Sequence, residues 1–170
     1  MKSKRKELAL LVLLLFITAL LYFPALENKF NNWDDYPYIT HNPNIELNKE
    51  NVSKSFITGE PHGMYAPLTA LSLSVTHHFY QLDPKPYILT NLILHLCNVL
   101  LLFVFLSMIG SSPFVPVLSA ALFALHPANA EVVAYASGRR DVLYVFFYLL
   151  CLIFYTSSEL GKKNKSYLFF

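Results

Sequence analysis

Polar and apolar positions fall in long blocks along this chain rather than in a short alternation. Residues 8–26 are apolar apart from Thr18. A helix of that length, at about 1.5 Å per residue, nearly crosses the roughly 30 Å hydrocarbon core of a bilayer. A second full-length block covers residues 87–109. A shorter one covers 113–127 and opens on Ser112-Pro113, a good N-cap and first-turn pair. A further block without charge covers 142–158, and residues 167–170 look like the first turn of a fifth. Lys2, Lys4, Arg5 and Lys6 precede the first block, so a signal peptide is its natural rival. The run exceeds a usual signal core and no small-x-small site follows, which favours an uncleaved anchor.

Between the blocks lie two loops, at about 27–86 and 128–141. Basic clusters precede the first block and follow the last complete one, at Lys162, Lys163 and Lys165. If the short third block crosses, both clusters share a face, which the positive-inside rule makes cytoplasmic. The N-terminus is then cytoplasmic, in a bacterial plasma membrane or a eukaryotic endoplasmic reticulum, and both loops face outward. Inside the long loop, Leu68, Leu71, Val75 and Phe79 recur at helical spacing after Pro67. That pattern predicts a helix over 67–80 lying on the membrane surface or capping the bundle. The fold class expected is an all-α polytopic membrane protein with about four complete spans and a helical first outer loop.

Composition agrees with the block pattern. Of 170 residues, 55% are hydrophobic and 14% charged, and the mean hydropathy is +0.42. A soluble domain carries roughly 25% charge. A formal charge of only +2 excludes a phosphate-tracking nucleic-acid binder. Cys97 and Cys151 lie within apolar blocks and are expected to act as small buried hydrophobes.

Polar groups in such surroundings need a reason. Asp34 and Asp35 follow Asn32-Trp33 just past the outer end of the first span. Adjacent carboxylates at a membrane surface repel each other and lose solvation, which suits one to act as a base or both to hold a cation. The same residues also fit a solvated turn before Tyr36-Pro37. Asn91, His95 and Asn98 are spaced four and three apart and share one helical face. They face protein or a wet cavity, because lipid would not satisfy them. His126, Glu131, Arg139 and Arg140 lie at the second outer loop, where guanidiniums could grip a lipid phosphate. There, too, a plainer reading exists, with Asp141 capping the next helix and the arginines meeting headgroups. His77-His78 with Asp83 lacks the i, i+4 pair expected of a metal site. Asn51-Val52-Ser53 is a glycosylation sequon.

Four segments, in this order, resemble the membrane glycosyltransferases with tetratricopeptide repeats, relatives of the transmembrane protein O-mannosyltransferases. They run from Lys29 through Asn32-Trp33-Asp34-Asp35-Tyr36-Pro37 to Asn42-Pro43-Asn44-Ile45, then Tyr65-Ala66-Pro67-Leu68-Thr69, then Asn91 to Asn98, and finally Ala121 to His126-Pro127 and on through Glu131 to Arg139-Arg140-Asp141. The resemblance implies a GT-C bundle that transfers a sugar from a polyprenyl-phosphate donor to a protein or glycan hydroxyl, with inversion. It implies an acidic base in the first loop, here Asp35, with Asp34 as its partner or a metal-side ligand, a divalent metal being one option. Glu131, Arg139, Arg140 and His126 would border donor phosphate and acceptor, while Asn91 and His95 line or brace the cavity beneath. Such enzymes run to several hundred residues, so this chain is expected to be the front part of one. A non-catalytic scaffold or subunit with the same fold is the alternative, and a transporter module the third.

Overall fold

The computed structural model describes the backbone of residues 2–58, 65–110, 112 and 114–166, and side chains over 5–58, 65–110, 112 and 114–160. The turn expected at 167–170 lies outside the described residues, as does Pro113. Among the described residues seven α-helices follow one another: α1 (Lys2–Tyr22), α2 (Lys49–Ile57), α3 (Pro67–Tyr80), α4 (Pro84–Met108), α5 (Phe114–Leu125), α6 (Ala128–Ala134) and α7 (Arg139–Ser166). Short turns of 3-10 helix at Phe23–Glu27 and Ala136–Gly138 and a π turn at Tyr36–Thr40 complete the chain, and the described residues contain no strand. Three stretches are long and apolar enough to span a bilayer, Arg5–Glu27, Pro84–Met108 and Ala136–Leu160. The chain is a helical membrane protein.

The third expected block behaves differently. It breaks at Pro127, which lacks the N–H and crowds the preceding turn, so α5 and α6 meet at 61° and pass as one span only together. Side chains cover the break. Asn129 Nδ2 donates to the Phe123 carbonyl at 2.6 Å, and the Ala128 N–H donates to His126 Nδ1 at 3.2 Å.

α4 is the hub, packing most extensively along α7 and α5. Its buried positions Tyr87, Ile88, Asn91, Leu92, His95, Asn98 and Val99 form one stripe at three- and four-residue spacing. α4 and α7 run parallel, since Asn91 bonds to Tyr135 and Asn98 to Val142. The α5–α6 pair between them therefore carries the chain back to the end where α4 began. Ala120 and Ala124 on α5 bring it close to Leu14 and Val99; small residues allow such approach where lipid gives little hydrophobic drive.

Both loops thus gather at one end, the loop face, around a core of their own. Ile39, Ile45, Leu73, Tyr87 and Ala136 are buried there, with Phe30 and Tyr38 against them. Burying each isoleucine or leucine away from water contributes about 1.5–3 kcal/mol. Asn48 caps α2 by accepting the Asn51 N–H at 2.8 Å, while Asn51 donates to the Glu46 carbonyl, which engages the sequon amide inside a helix. One turn apart on α2, Lys54 bonds Glu50 at 2.7 Å and holds that carboxyl below its ordinary range. α3 occupies the range the spacing predicts, but Leu68, Val75 and Phe79 are exposed, and Ala70, Leu73, Ser74 and Thr76 are the residues it buries.

Candidate functional site

The first loop begins with a small hydrogen-bonded ring. Asn31 Oδ1 accepts the N–H groups of Trp33 at 2.9 Å and Asp35 at 3.2 Å. In return, Asp35 Oδ2 accepts the Asn31 N–H at 2.9 Å. Its other oxygen, Oδ1, accepts the Ser137 N–H at 2.8 Å, across 102 positions of chain. Asp35 is 1% exposed. Its carboxylate is therefore a staple between the two loops, with both oxygens engaged by backbone amides. Asp34, next to it, points the other way and is exposed.

The second loop is held just as closely where it meets that staple. Asn28 Nδ2 donates to the Ala134 carbonyl at 3.3 Å, and Asn91 Nδ2 to that of Tyr135 at 2.6 Å. At Gly138 the backbone passes so near Val132 that a Cβ would overlap its carbonyl oxygen. Only glycine fits that approach.

Arg139 follows and is 0% exposed. Its Nε donates to Asn91 Oδ1 at 2.6 Å, and its terminal nitrogens donate to Ser72 Oγ at 2.6 Å, Thr76 Oγ1 at 3.5 Å and the Tyr87 carbonyl at 3.0 Å. All these acceptors are neutral. A buried cation is tolerable only when such bonds replace its hydration. This guanidinium docks α3 and α4 onto the head of α7. Arg140 is half-buried and contacts Asp141 at 3.5 Å. α7 begins at Arg139, so Asp141 lies in its first turn rather than capping it.

Three openings with shared lining residues result. A groove of about 570 Å³ runs between the start of α3 and the outer half of α7, lined by Pro67, Leu68, Leu143, Tyr144, Phe147, Tyr148 and Cys151, with Arg140 at its head. Arg140, Ala66 and Thr69 also line a constriction with room for about 20 Å³, together with Asp34, Tyr38, Leu73 and Ser137. A space of that size holds about one water. Asp34 and Ser137 line in turn an outer cleft of about 300 Å³ with Asn31, Trp33, Glu131 and Tyr135. Asp34 and Arg140 thus share one constriction between an apolar groove and a polar cleft.

The other expected site residues lie elsewhere. His126 is exposed and caps the α5 break. His95 Nε2 meets the Ala124 carbonyl at 3.2 Å, with its ring edge-on to Tyr22 at 5.4 Å. Asn98 Nδ2 donates to the Val142 carbonyl at 2.9 Å, and its Oδ1 is buried with no partner among the described residues. Among the described residues, no three His, Cys, Asp or Glu side chains converge on a metal position. Cys151 is exposed and lines the groove, where a buried packing residue was expected; its position on the open face of α7 is the reason. Sequence reasoning left Trp33, Tyr135 and Ser137 without a role. The signal for Ser137 was Gly138, which forces a tight backbone approach beside the arginine pair.

Comparison with known proteins agrees with the resemblance read from the four segments. The chain is 32% identical over 102 residues to protein O-mannosyl-transferase Tmtc1 of Drosophila melanogaster, covering 60% of the chain and 12% of that relative. It is 32% identical over 103 residues to human protein O-mannosyl-transferase TMTC3, covering 61% of the chain and 11% of the relative. Human TMTC1 aligns over 151 residues at 27% identity, covering 83% of the chain and 17% of that protein. The chain therefore spans between about a tenth and a sixth of the length of these curated relatives. No protein-family model matches it, and no solved structure matches it. The resemblance to the transmembrane and tetratricopeptide-repeat O-mannosyltransferases is borne out.

Proposed function

We propose that the loop face of this chain belongs to a GT-C-type membrane glycosyltransferase, which moves a sugar from a polyprenyl-phosphate donor to a hydroxyl of a protein or glycan. The names of the relatives make mannose the first candidate sugar. The observation that carries the reading is the constriction lined by Asp34 and Arg140, which shares Arg140 with an apolar groove and Asp34 with a polar cleft. A lipid-linked sugar needs that order of surroundings. Its chain lies in the groove against Tyr144, Phe147 and Tyr148, its phosphate meets Arg140, and the bond to be broken lies at the constriction. The basic N-terminal cluster then faces the cytoplasm and the loop face is outward.

In this mechanism Asp34, rather than Asp35, is the base. It is exposed and lines both the constriction and the outer cleft, whereas both oxygens of Asp35 already accept backbone N–H bonds. Asp34 takes the proton of the acceptor hydroxyl as its oxygen attacks the anomeric carbon. The bond from that carbon to the phosphate oxygen breaks, and its electron pair leaves with the phosphate. Arg140 stabilises the charge that develops there. Attack from the face opposite the leaving phosphate inverts the anomeric centre. Asp35 and Arg139 hold the walls, one tying Ser137 to the first loop and the other tying α3 to α4 and α7.

Kinetics of the whole protein in lipid, with polyprenyl-phosphate mannose as donor, test this. Asp34→Asn is expected to lower kcat by about 10²–10⁴-fold with little change in donor KM. Arg140→Gln is expected to raise donor KM as well. Normal turnover by Asp34→Asn would remove it as the base, and absence of transfer by the wild-type protein would favour the scaffold alternative.

A further inference from the structure

The outer cleft contains a group that the transfer chemistry does not use. Trp33, the single tryptophan of the chain, is 84% exposed on the cleft rim. Its backbone is fixed on both sides. The Trp33 N–H donates to Asn31 Oδ1 at 2.9 Å, and its carbonyl accepts the Tyr36 N–H at 3.2 Å. The ring is thus held out on a turn that is already ordered. Tyr135 flanks the same cleft, with its carbonyl bound by Asn91 at 2.6 Å. Glu131 and Asp34 are both exposed there, and among the described residues no lysine, arginine or histidine lines the cleft.

We propose that this cleft is the acceptor subsite and that it selects a polypeptide carrying lysine or arginine next to the serine or threonine to be modified. The inference rests on Asp34 being the base. Trp33 and Asp34 are adjacent in the chain, and consecutive Cα atoms lie 3.8 Å apart. Both side chains line the cleft, so an acceptor whose hydroxyl lies at Asp34 has its flanking residues in the same cleft as the indole. A cation is held best on the face of a tryptophan, and Glu131 supplies the charge-assisted bond. Asp34 remains available for the hydroxyl. The rigid turn removes the ordering cost of binding. A tryptophan serving only as an interfacial anchor would carry no preference for acceptor charge.

The test uses the whole protein in lipid nanodiscs and two acetylated peptide amides, Ala-Ala-Ser-Lys-Ala and Ala-Ala-Ser-Glu-Ala. Binding is read from the emission of Trp33, as the difference from Trp33→Phe, and transfer from kcat/KM with polyprenyl-phosphate mannose. The lysine peptide is expected to bind about tenfold more tightly, a preference of about 1.4 kcal/mol. That preference should shrink at 1 M salt, where the Debye length falls to about 3 Å, and should vanish in Glu131→Gln. Equal binding of the two peptides, no binding of either, or a preference that survives Glu131→Gln overturns the proposal. The binding arm needs no chemistry, so the two readings fail separately. A charge preference in binding without any sugar transfer rejects the transferase and with it the acceptor role, and leaves only a cleft for cationic peptides. Transfer at equal kcat/KM to both peptides keeps the transferase and rejects the cleft.

Discussion

Two pairs of neighbours at the loop face, Asp34 with Asp35 and Arg139 with Arg140, divide their work in the same way. Asp35 and Arg139 turn inward, and their polar atoms are consumed by bonds to backbone amides, carbonyls and neutral side chains. Asp34 and Arg140 both line the constriction. Side chains one residue apart cannot share a direction on a helix or a tight turn, so a doubled charge places one copy in the protein and one in the opening. The inward copies fix the shape of the site, and the outward copies line its opening. The stripe on α4 extends the inward pattern, since Asn91, His95 and Asn98 each bond a backbone carbonyl of a neighbouring helix segment.

That division can be broken in several places. The largest effect is expected where the second loop has no room at all. Gly138→Ala drives a methyl group into the Val132 carbonyl, and the loss should be on the order of 4 kcal/mol or more, visible as collapse of folded yield and loss of the thermal transition in detergent. Arg139→Lys comes next. It keeps the charge but cannot reproduce the fork to Asn91, Ser72 and Tyr87, so about 2–3 kcal/mol of stability should go. Arg140→Lys should stay within about 0.5 kcal/mol, and equal effects of the two changes in the same unfolding assay would erase the contrast. A small effect is also expected of Asn98→Leu. Asn98 Oδ1 is already without a partner among the described residues, so exchange for an apolar side chain of similar size should change stability by less than about 1 kcal/mol.

Much of the fold was legible because long apolar blocks have few alternatives in lipid. α3 coincides with its spacing and Pro67. The ends were less legible, since a helix does not stop where the hydrocarbon does. α1 starts at Lys2 and α7 runs to Ser166, both into charged sequence. α2 went unread because its face is mostly polar, although Asn48 was a fair capping signal. At the site, residue types were readable and directions were not. Nothing in Asp34-Asp35 says which carboxylate meets Ser137, because the partner lies 102 positions away. The same holds for Arg139, whose four acceptors come from α3 and α4. Trp33 was overlooked for a different reason. A lone exposed aromatic is ordinary until the cleft beside it is seen.

The most direct measurement pairs Asp34→Asn with Asp35→Asn in the whole protein and records folding stability and turnover on the same samples. The account predicts that Asp34→Asn unfolds like the wild type and loses sugar transfer. It predicts that Asp35→Asn loses stability through its staple to Ser137, and that the fraction still folded retains far more turnover per molecule than Asp34→Asn. A stable, inactive Asp35→Asn beside an active Asp34→Asn would contradict it.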